Sequence, residues 1–458
     1  MSIDIIITEN PARSPANPTG RAMTFIENIT SKVDGVFSWT IEAFGGFATA
    51  HFEMVVSEPD AWEMLNRLGK RVAFLSPDAP DSSLICWEGM IHSVNVDDGG
   101  ATVSRSLENC YNTVRVNYTG IDDSQVPPAT GGYEGTDSAT DATSETAYGR
   151  RYLLYQAGTV AGATQALRKS GPGNAMRDLF LAQYANPRAG ATTLRRGGGS
   201  SASSLRVSVD CVGFVHELAL NFHSDVAAAP AEISTILSSI MTNTANGTTA
   251  DWAPWGRSAV DGNAALAASW KLPFASTDTT GISVNTLTAT QYNLYDQTTR
   301  THIDELLRLG YVNAPPGPPT ARRAFFGYYE NRKFFYTVEP STYDYITRRG
   351  DPSEAIYDRR TGAIVPPHLV RPAKAIGVPD IMPDETVVTD VLNTARAFVI
   401  GTVEFTAPAT VVLTPAPPDP SGMWGTAYLE GIAPTAVEVP GGGYSGGLPP
   451  MGWTVGGG

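Results

Sequence analysis

Cysteine is scarce in this chain: Cys86, Cys110 and Cys211 are the only three among 458 residues. They lie far apart with no C-x-x-C pair, which excludes a disulfide framework and the usual spacing of a thiolate metal site. In apolar runs such as LICWEG and VDCVGF they read as buried free thiols. The histidines at 51, 92, 216, 223, 302 and 368 form no H-x-x-x-H pair, so no zinc site is expected. Nowhere do 18 apolar residues run together, so no membrane-spanning helix is expected. The N-terminus, MSIDIIITEN, has neither a basic region nor a long apolar one, and is expected to belong to a soluble protein outside the general secretory route. Positive charge is also in short supply. Lys and Arg number 32 against 46 Asp and Glu, a net charge of -14. That balance argues against a protein built to grip phosphate backbones, where affinity comes from counterions released by Lys and Arg. No glycine loop of the phosphate-cradling kind follows a strand, and no basic patch is interleaved with aromatics.

What is present points to sheet. With 45 Gly, 33 Pro, abundant Thr and Val and few segments of helical spacing, the expected class is mostly β with minor α. At about 150 residues per domain the length suggests roughly three units. VFSWTIEA and FATAHFEMVV alternate around Gly45-Gly46, the signature of a hairpin; LICWEGMIHSVNV meets ATVSRSLENCYNTVRVNYTG across Asp97-Asp98-Gly99-Gly100. Residues 1–118 are therefore expected to form a first small β-barrel-like domain. Residues 119–146, nearly free of large aliphatics, read as a polar loop or linker. Residues 147–230 read as an α+β segment with a long strand pair, and with two helical pieces broken at Gly171-Pro172-Gly173. Met176, Leu179, Phe180 and Tyr184 form the apolar stripe of the second piece. A second β-barrel-like domain, preceded by a helical segment, is expected over 231–415, and a Pro/Gly-rich tail over 416–458.

Chemical motifs are weak. Gly443-Tyr444-Ser445-Gly446-Gly447 matches G-x-S-x-G, but it lacks the flanking strand and helix and no histidine follows His368, so it reads as coincidence in a glycine-rich tail. The acidic residues Asp122, Asp123, Glu134, Asp137, Asp141 and Glu145 do not follow EF-hand spacing and read as a solvated loop. Paired carboxylates of glycosidases converge in space rather than along the chain, which keeps Glu88 and Glu330, both beside aromatics, open as a hydrolase reading. Glu88 has no evident partner in the sequence.

The densest feature is FFGYYENRKFFYTVEP, residues 325–340. A turn at Asn331-Arg332 sets Tyr329 opposite Phe334 and Tyr328 opposite Phe335, with a longer turn as the alternative. Phe325, Phe326, Tyr328, Tyr329, Phe334, Phe335 and Tyr336 then put rings on both faces of the sheet. A sugar platform needs one wet face, so the hairpin reads as a packing or interface element covered on both sides.

The succession TRTHIDELLRLGY, RRAFFGYYENRKFFYTVEP with YDYITRR, IYDRRTGAIVPPHLVRPAKAIGV and FVIGTVEFTAPATVVLTP resembles tail hub proteins (baseplate hub or minor tail proteins) of long-tailed bacteriophages. AHFEMVVSEPDAWEMLNRLGKRVAFLS with LICWEGMIHSVNVDDGGATVSRSLENCYNTVRVNYTG resembles their first lobe, and the likeness covers about residues 20–415. It implies two tail-tube-like β-barrel domains per chain and a homotrimer whose six barrels form a pseudo-hexameric ring around a channel. The implied partners are the distal tail or tail tube protein on one side and tip or fibre proteins on the other, with a tape-measure protein and DNA that passes during ejection without tight binding. The implied location is the virion tail tip, after synthesis in the host cytoplasm. No enzyme activity, catalytic residue, cofactor or metal is implied. If the channel reading holds, its lining should be net acidic. A receptor- or carbohydrate-binding tail-tip protein using Trp252, Trp255 and Tyr444 stands as the alternative, and a β-rich glycan hydrolase as the third reading.

Overall fold

The computed structural model describes residues 3–9, 25–76, 85–99, 101–149, 151–194, 204–220, 355–377 and 398–416, with short segments between 222 and 347. The protein is mostly β. The first strands are β1 (Asp4–Thr8), β2 (Phe25–Asn28), β3 (Val33–Glu42), β4 (Phe44–Val56), β5 (Arg71–Leu75), β6 (Ile85–Asp97) and β7 (Ala101–Ser106), with helix α1 (Glu58–Met64) after β4. They are followed by β8 (Thr113–Asp122), β9 (Ala129–Gly135), β10 (Ala139–Thr140), α2 (Ala142–Tyr148), β11 (Tyr152–Ala161), α3 (Gln165–Arg168), α4 (Asn174–Tyr184), β12 (Ala189–Leu194) and β13 (Leu205–Val212).

The main sheet is organised around β13. All eight of its residues pair antiparallel with β4, from Leu205 opposite Val56 to Val212 opposite Thr49. Its other edge pairs antiparallel with β6, from Arg206 opposite Asp97 to Val212 opposite Met90. Beyond β4 come β3, then Phe398–Thr406, then Thr410–Pro415, all antiparallel. Beyond β6, its first half pairs with β5, which leads to β1 and β2, and its second half pairs with β7, which leads to β12. Strand Phe398–Thr406 thus lies directly beside β3, although more than 350 residues separate them in the chain.

Successive strand residues point to opposite faces, so one face of each strand can be apolar and the other polar. Leu205, Val207, Val209 and Cys211 of β13 are buried, as are Phe52 and Met54 of β4, Trp39 and Ile41 of β3, and Val403 and Phe405. Trp39 stacks on Phe405 with ring centroids 4.3 Å apart, and Phe74 meets Trp87 edge-on at 5.8 Å. Each such ring buried contributes about 1.5–3 kcal/mol relative to exposure. The three cysteines are free and buried, as their apolar neighbours led us to expect. The β3–β4 hairpin forms, but its turn falls at Ala43, and Gly45 and Gly46 open β4 with positive φ of 135° and 78°.

A second, smaller sheet stands on β8. β9 and β10 run antiparallel to it, and β11 runs parallel. Val114, Val116, Tyr118 and Val160 form its own core beneath α4, with Met176, Phe180 and Leu181 packed against them. Its base is fixed by Arg151, buried, whose Nε donates to the Cys110 carbonyl at 2.8 Å and Nη2 to that of Leu107 at 2.7 Å.

Two local expectations change. Residues 119–146 are not a loop, since they hold the end of β8, β9, β10 and α2. Two of their acidic side chains close on partners: Arg168 Nε donates to buried Glu134 at 3.0 Å, and Asp141 caps α2 by accepting from the Ser144 N–H at 2.9 Å. At Gly171-Pro172-Gly173 the chain does not break but makes a π-helical turn, Lys169–Gly173, between α3 and α4. Only one flank of α4 meets the sheet, so Leu181 joins Met176 and Phe180 while Leu179 is 63% exposed.

The turn after β13 leaves no room for a side chain. A Cβ on Gly213 would lie 1.5 Å from the Phe47 carbonyl oxygen, while the Gly213 N–H donates to Ala48 at 2.6 Å. Gly213→Ala should destabilise the fold by about 2–4 kcal/mol, read from the midpoint of chemical denaturation. An unchanged midpoint would contradict this packing.

Candidate functional site

The face of the main sheet opposite the core is a polar surface assembled by register. One row crosses seven strands: Thr410, Thr406, Ser38, His51, Asp210, Ser93 and Ser106 are successive cross-strand neighbours. On one side of it lies a row of Glu404, Thr40, Thr49 and Val212; on the other, a row of Glu53, Ser208, Asn95 and Ser104, followed by Val55, Arg206, Asp97 and Thr102. These positions are half-buried or exposed, while most of their neighbours along β3, β4, β6 and β13 are core. In these rows hydroxyls are the commonest group, and the carboxylates Asp210, Glu404, Glu53 and Asp97 outnumber the guanidinium of Arg206.

The middle of the first row is tightly bonded. His51 Nδ1 lies 2.7 Å from Asp210 Oδ1, and Ser93 Oγ donates to Asp210 Oδ2 at 2.7 Å. Serine, histidine and aspartate are thus side by side, but in the wrong order for nucleophilic catalysis. The serine proton goes to the carboxylate, and no imidazole stands ready to take it. The other imidazole nitrogen, Nε2, faces Glu53 at 3.9 Å. The hydrogen bond to Asp210 raises the His51 pKa above 6.5, and the same bond holds Asp210 below its usual value of 3.8.

Just under this row, His92 occupies the register shift between β6 and β13, and its ring meets that of His216 edge-on at 5.3 Å. Burial first, and the Arg151 charge second, push both imidazoles down to about 4. Histidines of opposite behaviour therefore stand within one patch.

The residues singled out from sequence fall elsewhere. Glu88 is fully buried and receives Arg71 Nε at 2.8 Å and Nη2 at 2.5 Å, so it has a partner after all and presents no carboxylate to a cleft. Glu330, Trp252, Trp255, Tyr444 and the G-x-S-x-G stretch lie outside the described residues. Strands Ala324–Tyr329 and Lys333–Val338 pair with Tyr329 opposite Lys333, Tyr328 opposite Phe334 and Phe326 opposite Tyr336. This register is one residue away from the expected one: Tyr329 meets Lys333 instead of Phe334, and Tyr328 meets Phe334 instead of Phe335. The hairpin joins the start of β4 in parallel, Phe326 opposite Phe44. Phe325 is buried and packs on Phe44 with ring centroids 5.1 Å apart, whereas the side chains of Phe326, Tyr328, Tyr329, Phe334, Phe335 and Tyr336 lie outside the described ones. Of the acidic residues at 122–145, Asp137 pairs with Lys169 at 2.8 Å and Asp122 accepts from the Ser124 N–H at 3.0 Å. Among the described residues no cluster of three or more metal-ligating side chains occurs.

No family model matches the chain, and no curated protein sequence does. Among solved structures, a 43 kDa tail protein of prophage MuSo2 from Shewanella oneidensis is similar at 8% identity and a TM-score of 0.32, over 90% of this chain and 96% of that one. The E. coli c3393 protein, described as a type VI secretion component resembling T4 tail proteins gp27 and gp5, is similar at 10% identity and a TM-score of 0.27. That likeness covers 83% of this chain and 72% of the other. Likeness at these scores carries no argument about function.

The histidines give a pH signature. His51, with its raised pKa, adds stability below 6.5 that is lost as the pH rises through its higher folded value. His92 and His216 act in the opposite direction. They stay neutral in the fold down to about 4, so acidification from 6.5 towards 4 costs stability. Assigned imidazole resonances followed by NMR should show His51 titrating above 6.5 and His92 and His216 near 4, and His216→Phe should flatten the acid-side loss of thermal stability. All three titrating together near 6.5 would contradict the assignment.

Proposed function

We propose that the chain is a structural virion protein, a trimeric tail hub at the tail tip of a long-tailed bacteriophage. It joins a hexameric tail tube or distal tail ring to a trimeric tip or fibres and forms part of the DNA channel. The observation that carries this reading is the polar face of the main sheet. A surface of short hydroxyls and carboxylates, with one guanidinium in its four rows, offers a passing polyanion hydrogen-bonding groups that water can satisfy and few cations to displace its counterions. Such a wall guides without holding. The sequence resemblance over about residues 20–415 supplies the rest: two tail-tube-like barrels at 1–118 and 231–415, self-association into a ring, and contacts with tube, tape-measure and tip proteins.

The pairing of β3 with strand Phe398–Thr406 joins the first and last parts of the chain in one sheet, so both contribute to this face. In this account the aromatic hairpin at 325–336 serves packing and subunit contact rather than ligand binding. The protein works through extended surfaces, not through a catalytic constellation.

Native mass measurement of the purified chain tests the oligomer. A particle of three times 48.6 kDa is expected at micromolar concentration. A stable monomer under the same conditions would overturn the hub.

A further inference from the structure

The face of the second sheet turned away from α4 is crossed by two side-chain bridges. Tyr133 of β9 donates its hydroxyl to Gln156 Oε1 of β11 at 2.7 Å, and Ser138 Oγ lies 2.9 Å from the hydroxyl of Tyr152, at the start of β11. Gln156 opposes Asn117 and Tyr152 opposes Thr113, so both bridges pass over β8. By the rise of a strand they cross it about 13 Å apart. Midway between them stands Arg115, on the same face as Thr113 and Asn117. Its neighbour on β11 is Leu154, which has no polar side chain to offer it.

Arg115 is a cation without a counterion of its own. Its Nε is buried with no hydrogen-bond partner, and among the described residues none of its N–H groups is bonded or ion-paired. The guanidinium lies over Gly135 of β9: a Cβ there would come within 3.3 Å of Nη2 and 3.4 Å of Nε. Arg115 is half-buried, so the group is set into the sheet with part of it open to solvent. Nearby charges do not cancel it. Asp137, two residues beyond Gly135, is bonded to Lys169 at 2.8 Å; that bond first, then the charges of Lys169, Arg177 and Arg115, hold its pKa below 3.8. Arg177 pairs with Asp178 at 2.7 Å. Three cations thus share two carboxylates, a local positive excess in a chain of net charge -14. Glu134 opposes Tyr118 on the other face, where it pairs with Arg168, and Asp141 caps α2. A guanidinium set into a surface without an acceptor leaves part of its lost hydration uncompensated.

From this geometry we propose that Arg115 is the centre of a binding site for a phosphate group, carried by free phosphate or by a phosphate monoester. A guanidinium donates two parallel N–H bonds to such a group. A flat carboxylate is served by that fork alone, whereas a tetrahedral group also turns oxygens towards donors on either side of it. The two bridges supply those flanks: Gln156, whose Oε1 accepts from Tyr133, has its NH₂ left to donate, and the Ser138–Tyr152 pair brings hydroxyls from the opposite side. The site lies on a different sheet from the polar rows of the proposed channel and does not depend on that function.

Isothermal titration calorimetry of the full-length protein with inorganic phosphate and with glycerol 3-phosphate, at constant ionic strength set by KCl, tests the site. Saturable binding of at least one is expected, with acetate bound more weakly than either. Binding of both supports a site open to esters, and binding of inorganic phosphate alone supports one that takes the free ion. Arg115→Gln should weaken binding about tenfold or more, the scale of a charge-assisted hydrogen bond. Arg115→Lys, which keeps the charge and loses the fork, should weaken it less. Gln156→Ala, at an exposed position, should weaken it about fivefold, the scale of one neutral hydrogen bond. Phosphate should also raise the melting temperature of the native chain and leave that of Arg115→Gln unchanged, which separates a ligand site from a merely structural arginine. No saturable binding of either phosphate compound by the native chain, acetate bound as tightly, or phosphate binding unchanged in Arg115→Gln would overturn the proposal.

Discussion

Strand β13 holds the molecule together by being paired along both edges. Eight residues, LRVSVDCV, close β4 on one side and β6 on the other, and their strict alternation decides which side of the whole sheet is core. If β13 slipped by one residue, Val207, Val209 and Cys211 would face water and Arg206, Ser208 and Asp210 would face the rings of Phe52 and Phe74. The polar row depends on the same register. His51, Asp210 and Ser93 meet because β13 places a carboxylate between a histidine and a serine that come from strands on either side of it. Gly213 ends the strand where the backbone of Phe47 approaches too closely for any side chain.

Much of this was legible in the chain. The alternation of FATAHFEMVV and LRVSVDCV announced half-buried strands, the Asp-Asp-Gly-Gly turn announced the β6–β7 hairpin, and the cysteines announced themselves as core. The mostly β class followed from composition alone. What could not be read was juxtaposition over long separations. Nothing in the local pattern tells β13 to insert between two strands that are much earlier in the chain, or Phe405 to stack on Trp39. The candidate site is made of such juxtapositions, so its residues looked like ordinary solvated positions one strand at a time.

Residues 119–146 show a different reason for misreading. Their want of aliphatics suggested a loop, but a small sheet covered on one side needs few apolar residues of its own. Tyr118 and Val116 of β8 supply the core, and hydrogen-bonded polar groups supply the rest: Glu134 with Arg168, Asn117 with Tyr133, Asp141 with its helix. Buried polar groups that find partners cost little, and local composition cannot report a partner such as Arg168, 34 residues from Glu134. The apolar stripe of α4 shifted for a related reason, since the flank that faces the sheet is set by packing and not by the helix's own pattern. Glu88 likewise looked unpaired only because Arg71 lies on the neighbouring strand.

The large sheet offers a wide, weakly acidic plane of short side chains suited to contact without adhesion. The proposed function turns on this plane: the row from Thr406 through Ser38, His51 and Asp210 to Ser93 is held to line a passage. A reconstruction of the assembled particle by electron cryomicroscopy measures that directly. The account predicts threefold symmetry with this row turned towards the axis. A particle in which the row faces outward, or in which lysines and arginines line the passage, would contradict it.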